Sequence, residues 1–158
     1  MEGDHKHRLL LKEPYDESQP LISPNGRWLA YNSNESGQRQ IYVRSYHEVD
    51  SGGRWQVSTS GGHSPLWSRD GRELFYRSGS KIMAVDVDTK SGFSAGKPRM
   101  LFEGPYLPTS GSLPYYDVSP DGQRFLMLKP VESQTSVPTQ INVVLNWFEE
   151  LKRKVPVK

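Results

Sequence analysis

One short motif occurs three times along this chain of 158 residues. The copies read ISPNGRWLAY, WSRDGRELFY and VSPDGQRFLM, and their serines are Ser23, Ser68 and Ser119. These serines stand 45 and 51 residues apart (68 − 23 and 119 − 68). A repeat of this length is one supersecondary unit, and neighbouring units must stack to bury their apolar faces. We therefore expect three stacked units of the same kind.

Each copy of the motif predicts a β-hairpin. The four residues that begin with the serine suit a turn, because proline presets the backbone at the second position of two copies and asparagine or aspartate takes the third. The fourth position requires a positive φ, which glycine adopts without strain, and these glycines are Gly26, Gly71 and Gly122. The apolar run after each turn is too short for a helix and predicts a strand buried on both faces.

Further strands complete each unit. A short strand precedes each turn, and a third strand is expected after each hairpin, at residues 41–43, 82–87 and 141–145. A fourth, outer strand is predicted in the first two copies, at residues 55–58 and 99–102. Four antiparallel strands per unit are typical of a β-propeller blade. The sequence thus predicts an all-β fold of three four-stranded blades, which cover about residues 14–58, 59–103 and 104–146.

The repeats resemble a known family. Residues 65–71, PLWSRDG, are similar to the TolB-like, WD40-like (PD40) propeller repeat, whose pattern is Pro-x-Trp-Ser-Pro-Asp-Gly, with Arg69 here in place of proline. The other two copies depart from that pattern at two positions each. The closing stretch INVVLNWFEELKRK resembles the ends of propellers at the C-terminus of bacterial serine/threonine kinases. The resemblance implies a sensory or docking role, in an extracytoplasmic or periplasmic location.

Three blades do not close a propeller, which usually has about four to eight. Residues 8–12, RLLLK, read as an outer strand with no blade of their own, while the third unit lacks a fourth strand. One explanation is a homodimer in which two chains close a six-bladed ring and each N-terminal strand completes the partner's third blade. The other is that the chain is a fragment of a longer propeller. The homodimer is favoured because an unclosed fragment would expose apolar blade faces.

The last part of the chain predicts a short helix over about residues 146–154. Trp147, Phe148 and Leu151 lie at helical spacing, and two pairs of opposite charge stand four residues apart. We expect this helix to pack on the third blade.

The composition argues against several kinds of chemistry. The chain has no cysteine and no Gly-x-Ser-x-Gly motif, and its loops do not match a calcium-binding loop. His5 and His7 have no evident third metal ligand. The net charge is only +2, and no apolar run approaches the roughly 20 residues of a membrane helix. We expect no catalytic residue, metal, cofactor or nucleic-acid partner, and no direct membrane insertion.

One group of residues is a candidate ligand site. His63 precedes Ser68 by five residues, at the start of a predicted inner strand that would border the central channel. Asp117 stands where the other two copies have leucine. Together with Tyr115 and Tyr116, these side chains are predicted to line a polar channel mouth, which holds either water or a ligand or peptide.

The function that the sequence favours is recognition without catalysis. A rigid propeller surface would bind a protein, a peptide or another ligand, as a sensor or docking module of a bacterial signalling protein. The alternative is the substrate-gating propeller of a peptidase-like hydrolase whose catalytic domain is not in this chain. Carbohydrate recognition by Trp28, Trp55 and Trp67 is weaker, because tryptophans in or beside strands are expected in the core.

Overall fold

The computed structural model describes residues 9–49, 52–108 and 115–130. All the regular structure in these residues is β-strand, which confirms the predicted all-β class. In chain order the strands are β1 (Glu17–Ile22), β2 (Trp28–Ser33), β3 (Gln40–Ser45), β4 (Arg54–Gln56), β5 (His63–Trp67), β6 (Glu73–Ser78), β7 (Lys81–Asp88), β8 (Ser94–Ala95), β9 (Arg99–Glu103), β10 (Tyr116–Val118) and β11 (Phe125–Met127). Within these three ranges no helix is long and apolar enough to cross a membrane.

The strands form three antiparallel sheets. Sheet 1 has the order β1-β2-β3-β4, and sheet 2 has the order β5-β6-β7, with both β8 and β9 paired to β7. Sheet 3 consists, within the described residues, of β10 and β11. The strands predicted in the first two repeats are confirmed, and the two-residue strand β8 is an addition. The strand predicted at residues 141–145 and the helix predicted at 146–154 lie outside the described residues.

The N-terminal segment pairs with no strand that the structure describes. Residues 9–16 belong to no strand of the three sheets. The expectation that residues 8–12 pair with a second chain therefore stays a prediction.

The three predicted turns share one geometry. The φ angle is +72° at Gly26, +69° at Gly71 and +72° at Gly122, as the turn requires. Each glycine N–H donates to the carbonyl oxygen of its repeated serine, over 2.8 to 3.0 Å. The serine Oγ accepts a hydrogen bond from the backbone N–H five residues further on, over 2.9 to 3.0 Å. Each turn therefore satisfies its own polar groups, and this explains the residue types at its positions.

Sheets 1 and 2 pack face to face. Trp28 and Ala30 of β2 lie in one buried cluster with Leu74 and Tyr76 of β6. Side chains alternate along a strand, so the residues between these pairs point to the opposite faces of the two sheets.

Sheets 2 and 3 pack in the same way. Phe75 of β6 lies in a second cluster with Phe125 and Met127 of β11. The Phe75 and Phe125 ring centroids are 5.2 Å apart, with an interplanar angle of 87°. Each central strand thus presents one row of side chains to the preceding sheet and another to the following sheet.

An aromatic wedge closes the outer part of the junction between sheets 1 and 2. Phe93, in the loop between β7 and β8, is buried, and its ring centroid lies 5.3 Å from both Trp28 and Trp55. The two tryptophans meet edge to face, with their centroids 5.6 Å apart. Trp28 and Trp67 are both buried, as predicted for core tryptophans.

We predict that Phe93→Ala lowers the free energy of unfolding by about 3 to 5 kcal/mol, because it opens a cavity between two stacked sheets. Urea unfolding followed by tryptophan fluorescence measures the change. Met100→Ala is the matched control, since Met100 is 55% exposed and its truncation should cost less than about 0.5 kcal/mol. Equal unfolding midpoints for the two variants would contradict a wedge at Phe93.

Candidate functional site

The first strand of each repeat bends at the same position. Gln19, Ser64 and Tyr115 have φ angles of 55°, 54° and 49°, and each stands four residues before the repeated serine. The strand pairing slips there in β1 and β5, as at a β-bulge. A left-handed conformation costs a residue other than glycine about 1 to 2 kcal/mol. The surroundings must therefore hold this conformation, and such residues concentrate at functional sites.

Hydrogen bonds join the bulges across the sheets. The Ser64 N–H donates to Gln19 Oε1 over 2.7 Å, and Gln19 Nε2 donates to Ser64 Oγ over 3.3 Å. Asn32 Nδ2 also donates to Gln19 Oε1, over 3.1 Å. The buried Tyr116 hydroxyl donates to the Ser64 carbonyl over 2.7 Å. Ser64 therefore connects sheet 1 to sheet 3 through sheet 2, and we name these side chains the polar network.

His63 lies at the edge of this network. Its Nδ1 is 3.3 Å from Ser64 Oγ, and its side chain is half-buried. Burial, followed by the positive charges of Arg77 and Arg39, lowers the pKa of His63 to about 4. The imidazole is therefore neutral at pH 7, so that one ring nitrogen donates and the other accepts hydrogen bonds.

Arg77 is a buried cation on the strand next to His63. The two residues pair directly across β5 and β6, and Arg77 is 1% exposed. Its Nη1 donates to the Leu107 carbonyl over 2.5 Å, and its Nη2 donates to the Gly79 carbonyl over 3.3 Å. Within the described residues no carboxylate pairs with Arg77, and its Nε has no hydrogen-bond partner. Burial accordingly lowers the pKa of the guanidinium.

The structure brings together some of the predicted site residues and separates another. His63 and Tyr116 meet at Ser64, and Tyr115 is the half-buried bulge residue of the third repeat. Asp117 faces the other side of β10, where it is exposed and its Oδ1 accepts a hydrogen bond from the Val118 N–H over 2.8 Å. It therefore takes no part in the polar network.

Sequence reasoning missed Gln19, Asn32 and Arg77. A usable signal existed for the last two, because both stand nine residues after the repeated serine, in otherwise apolar strands. A polar side chain at such a position must find a partner, and the stacked neighbouring unit is the nearest source.

The site gathers polar side chains from neighbouring strands of three sheets. Its buried members are Asn32, Ser64, Tyr116 and the cation Arg77, whereas the side chains of Gln19 and His63 are half-buried and remain accessible. Among the described residues no cluster of histidine, aspartate and glutamate could hold a metal ion. Such convergent polar groups suit a ligand that carries carbonyl, amide or carboxylate groups, as a peptide does.

No protein-family model and no curated protein matches this chain. The resemblance to the TolB-like propeller repeat therefore rests on the repeated motif alone.

We predict that His63 makes the protein less stable in weak acid. In the unfolded chain His63 takes up a proton near pH 6.5, whereas in the folded protein it does so only near pH 4. The unfolded state binds more protons between these values, so the free energy of unfolding falls as the pH drops through this window. Urea unfolding of wild type and His63→Gln between pH 7 and pH 4 measures the effect, and the variant should lose less stability. His47→Gln, at an exposed position, should follow wild type, and identical pH profiles for all three proteins would refute the prediction.

Proposed function

We propose that this chain is half of a TolB-like β-propeller, which two copies complete, and that the closed ring is a non-catalytic recognition scaffold. The observation that carries the proposal is a junction that the chain forms twice. In both junctions, the side chains on one face of a sheet's central strand pack against the central strand of the following sheet.

The face of sheet 3 that points away from sheet 2 packs against no other sheet in the described residues. Leu126 stands seven residues after its repeated serine, as Ala30 and Phe75 do. Those two are 0% and 1% exposed, whereas Leu126 is 70% exposed, and Leu128 on the same face is 45% exposed. We name this surface the head face. Apolar residues at this repeat position are expected to be buried against another sheet.

The opposite end of the stack supplies the matching surface. Leu29 and Tyr31 occupy the repeat positions of Leu74 and Tyr76, and together with Tyr42 they form a cluster on the side of sheet 1 away from sheet 2. We name this surface the tail face. A head face and a tail face on every copy suit a symmetric pair of chains with two identical junctions, which gives six sheets in a ring.

Recognition is assigned to the polar network. The inner strands of a propeller surround its central channel, so ring closure would set the networks of two chains around one axis. The proposed ligand is a protein segment or peptide, bound through its backbone polar groups. The family resemblance favours a role in an extracytoplasmic signalling or docking system.

We predict that the purified protein sediments as a dimer at about 20 micromolar, with twice the 18.0 kDa mass of one chain. Leu126→Glu should shift it to the monomer, because it places a charge in an apolar junction. Met100→Glu puts the same charge on another exposed apolar residue and should leave the dimer intact. A wild-type protein that stays monomeric at this concentration, or a dimer that tolerates Leu126→Glu, would count against ring closure at the head face.

We also predict that peptides selected from a random library on the wild-type protein bind at the polar network. His63→Ala should weaken the selected peptides about tenfold or more, since it removes hydrogen-bonding groups from the site. His47→Ala is the control and should not alter binding. Titration by fluorescence anisotropy measures both, and selected peptides that bind His63→Ala as tightly as wild type would argue against this location.

A further inference from the structure

The tail face already carries a cover from its own chain. Leu10 and Leu11 pack against the cluster of Leu29, Tyr31 and Tyr42, although residues 9–16 form no strand. The three cluster residues are no more than 3% exposed beneath this segment. The surface that ring closure needs is thus occupied in the single chain.

A salt bridge fastens this cover. Arg44 has only 7% of its side chain exposed, and its guanidinium lies 5.6 Å from the centroid of the Tyr31 ring. Glu13 Oε1 is 3.5 Å from Arg44 Nη2. Among the described residues, Glu13 is the one that forms a salt bridge with Arg44. A buried cation needs such a partner, so Glu13 compensates the charge of the tail face.

The tail face also contains buried polar atoms. Tyr31 Oη, Arg44 Nε and Glu17 Oε1 are buried and have no hydrogen-bond partner among the described residues. All three groups act on one another electrostatically, which places them in one neighbourhood. The tail face is therefore polar as well as apolar.

The head face carries the same chemistry as the cover. Asp117 is exposed and pairs directly with Leu126 across β10 and β11, so their side chains share one face. The equivalent residues Leu21 and Leu66 each pack into the junction with the following sheet. The head face therefore offers leucines and a carboxylate, as do Leu10, Leu11 and Glu13.

We propose that residues 9–13 are a strap that competes with the head face of a second copy for the tail face. Leu10 and Leu11 take the place of Leu126 and Leu128, and Glu13 takes the place of Asp117 as the partner of Arg44. Ring closure then requires release of the strap, which makes assembly adjustable. This inference rests on the proposed ring.

Sedimentation equilibrium of full-length variants over a concentration series tests the strap. Leu10→Ser/Leu11→Ser should lower the dimer dissociation constant about tenfold or more, because it removes the competing apolar contacts. Adding Asp117→Asn to this variant should weaken the dimer again by a similar factor, because Arg44 then loses its carboxylate. Lys12→Ser, at an exposed strap position, should behave as wild type.

Trypsin cleavage after Lys12 gives a second readout on the wild-type chain. A released strap is a better substrate, so the rate of cleavage per chain should rise as the protein concentration is raised through the dimerisation range. Cooperative urea unfolding of each variant confirms that it is folded.

The outcomes separate the two proposals. If wild type and Leu10→Ser/Leu11→Ser dimerise equally tightly and cleavage after Lys12 does not change with concentration, the ring stands and the strap is wrong. If neither protein dimerises, the ring is wrong and the strap falls with it. If the serine variant dimerises more tightly but Asp117→Asn has no effect, the exchange of Glu13 for Asp117 is wrong.

Discussion

The constraint on which this structure depends is that the central strand of each sheet is apolar on both faces. Every residue of β2 is buried, and so are four consecutive residues of β6. A sheet with such a strand at its centre cannot remain in water on either side, so it must lie between two neighbours. This requirement fixes the stacking order of the three sheets. The two ends of the stack differ, because Leu10 and Leu11 cover the tail face, whereas Leu126 on the head face is 70% exposed.

The parts of the fold that local chemistry determines could be predicted from the sequence. The turn at Gly26 and its two equivalents are specified by residue types at fixed positions: serine first, asparagine or aspartate third, and glycine fourth. Each turn then fixes the register of its hairpin. The bulges could not be predicted in this way. Gln19, Ser64 and Tyr115 share a left-handed backbone but no chemical type, and the first two are joined by hydrogen bonds between sheets that the sequence does not show.

The candidate site was predicted only in part, for a related reason. His63 could be predicted because it stands at the start of a predicted inner strand. Its neighbours Gln19 and Arg77 come from other strands, and their proximity cannot be read from the sequence. Placing Asp117 beside Tyr116 overlooked the alternation of a strand, in which adjacent residues face opposite sides. By the same alternation, Asp117 lies on the head face and not at the predicted channel mouth.

A charge at the head face has a consequence for specificity. The two junctions inside the chain are lined at this position by Leu21 and Leu66, whereas the proposed junction between chains has Asp117 facing Arg44. A carboxylate buried against an apolar sheet would be costly, so the proposed junction would favour a sheet that presents a cation at this position. Sheet 2 offers Val85 at the repeat position of Arg44, since these residues pair with Leu74 and Leu29 respectively. The proposed charge pair thus favours sheet 1 over sheet 2 as the partner of the head face, and it would set the register of the proposed ring.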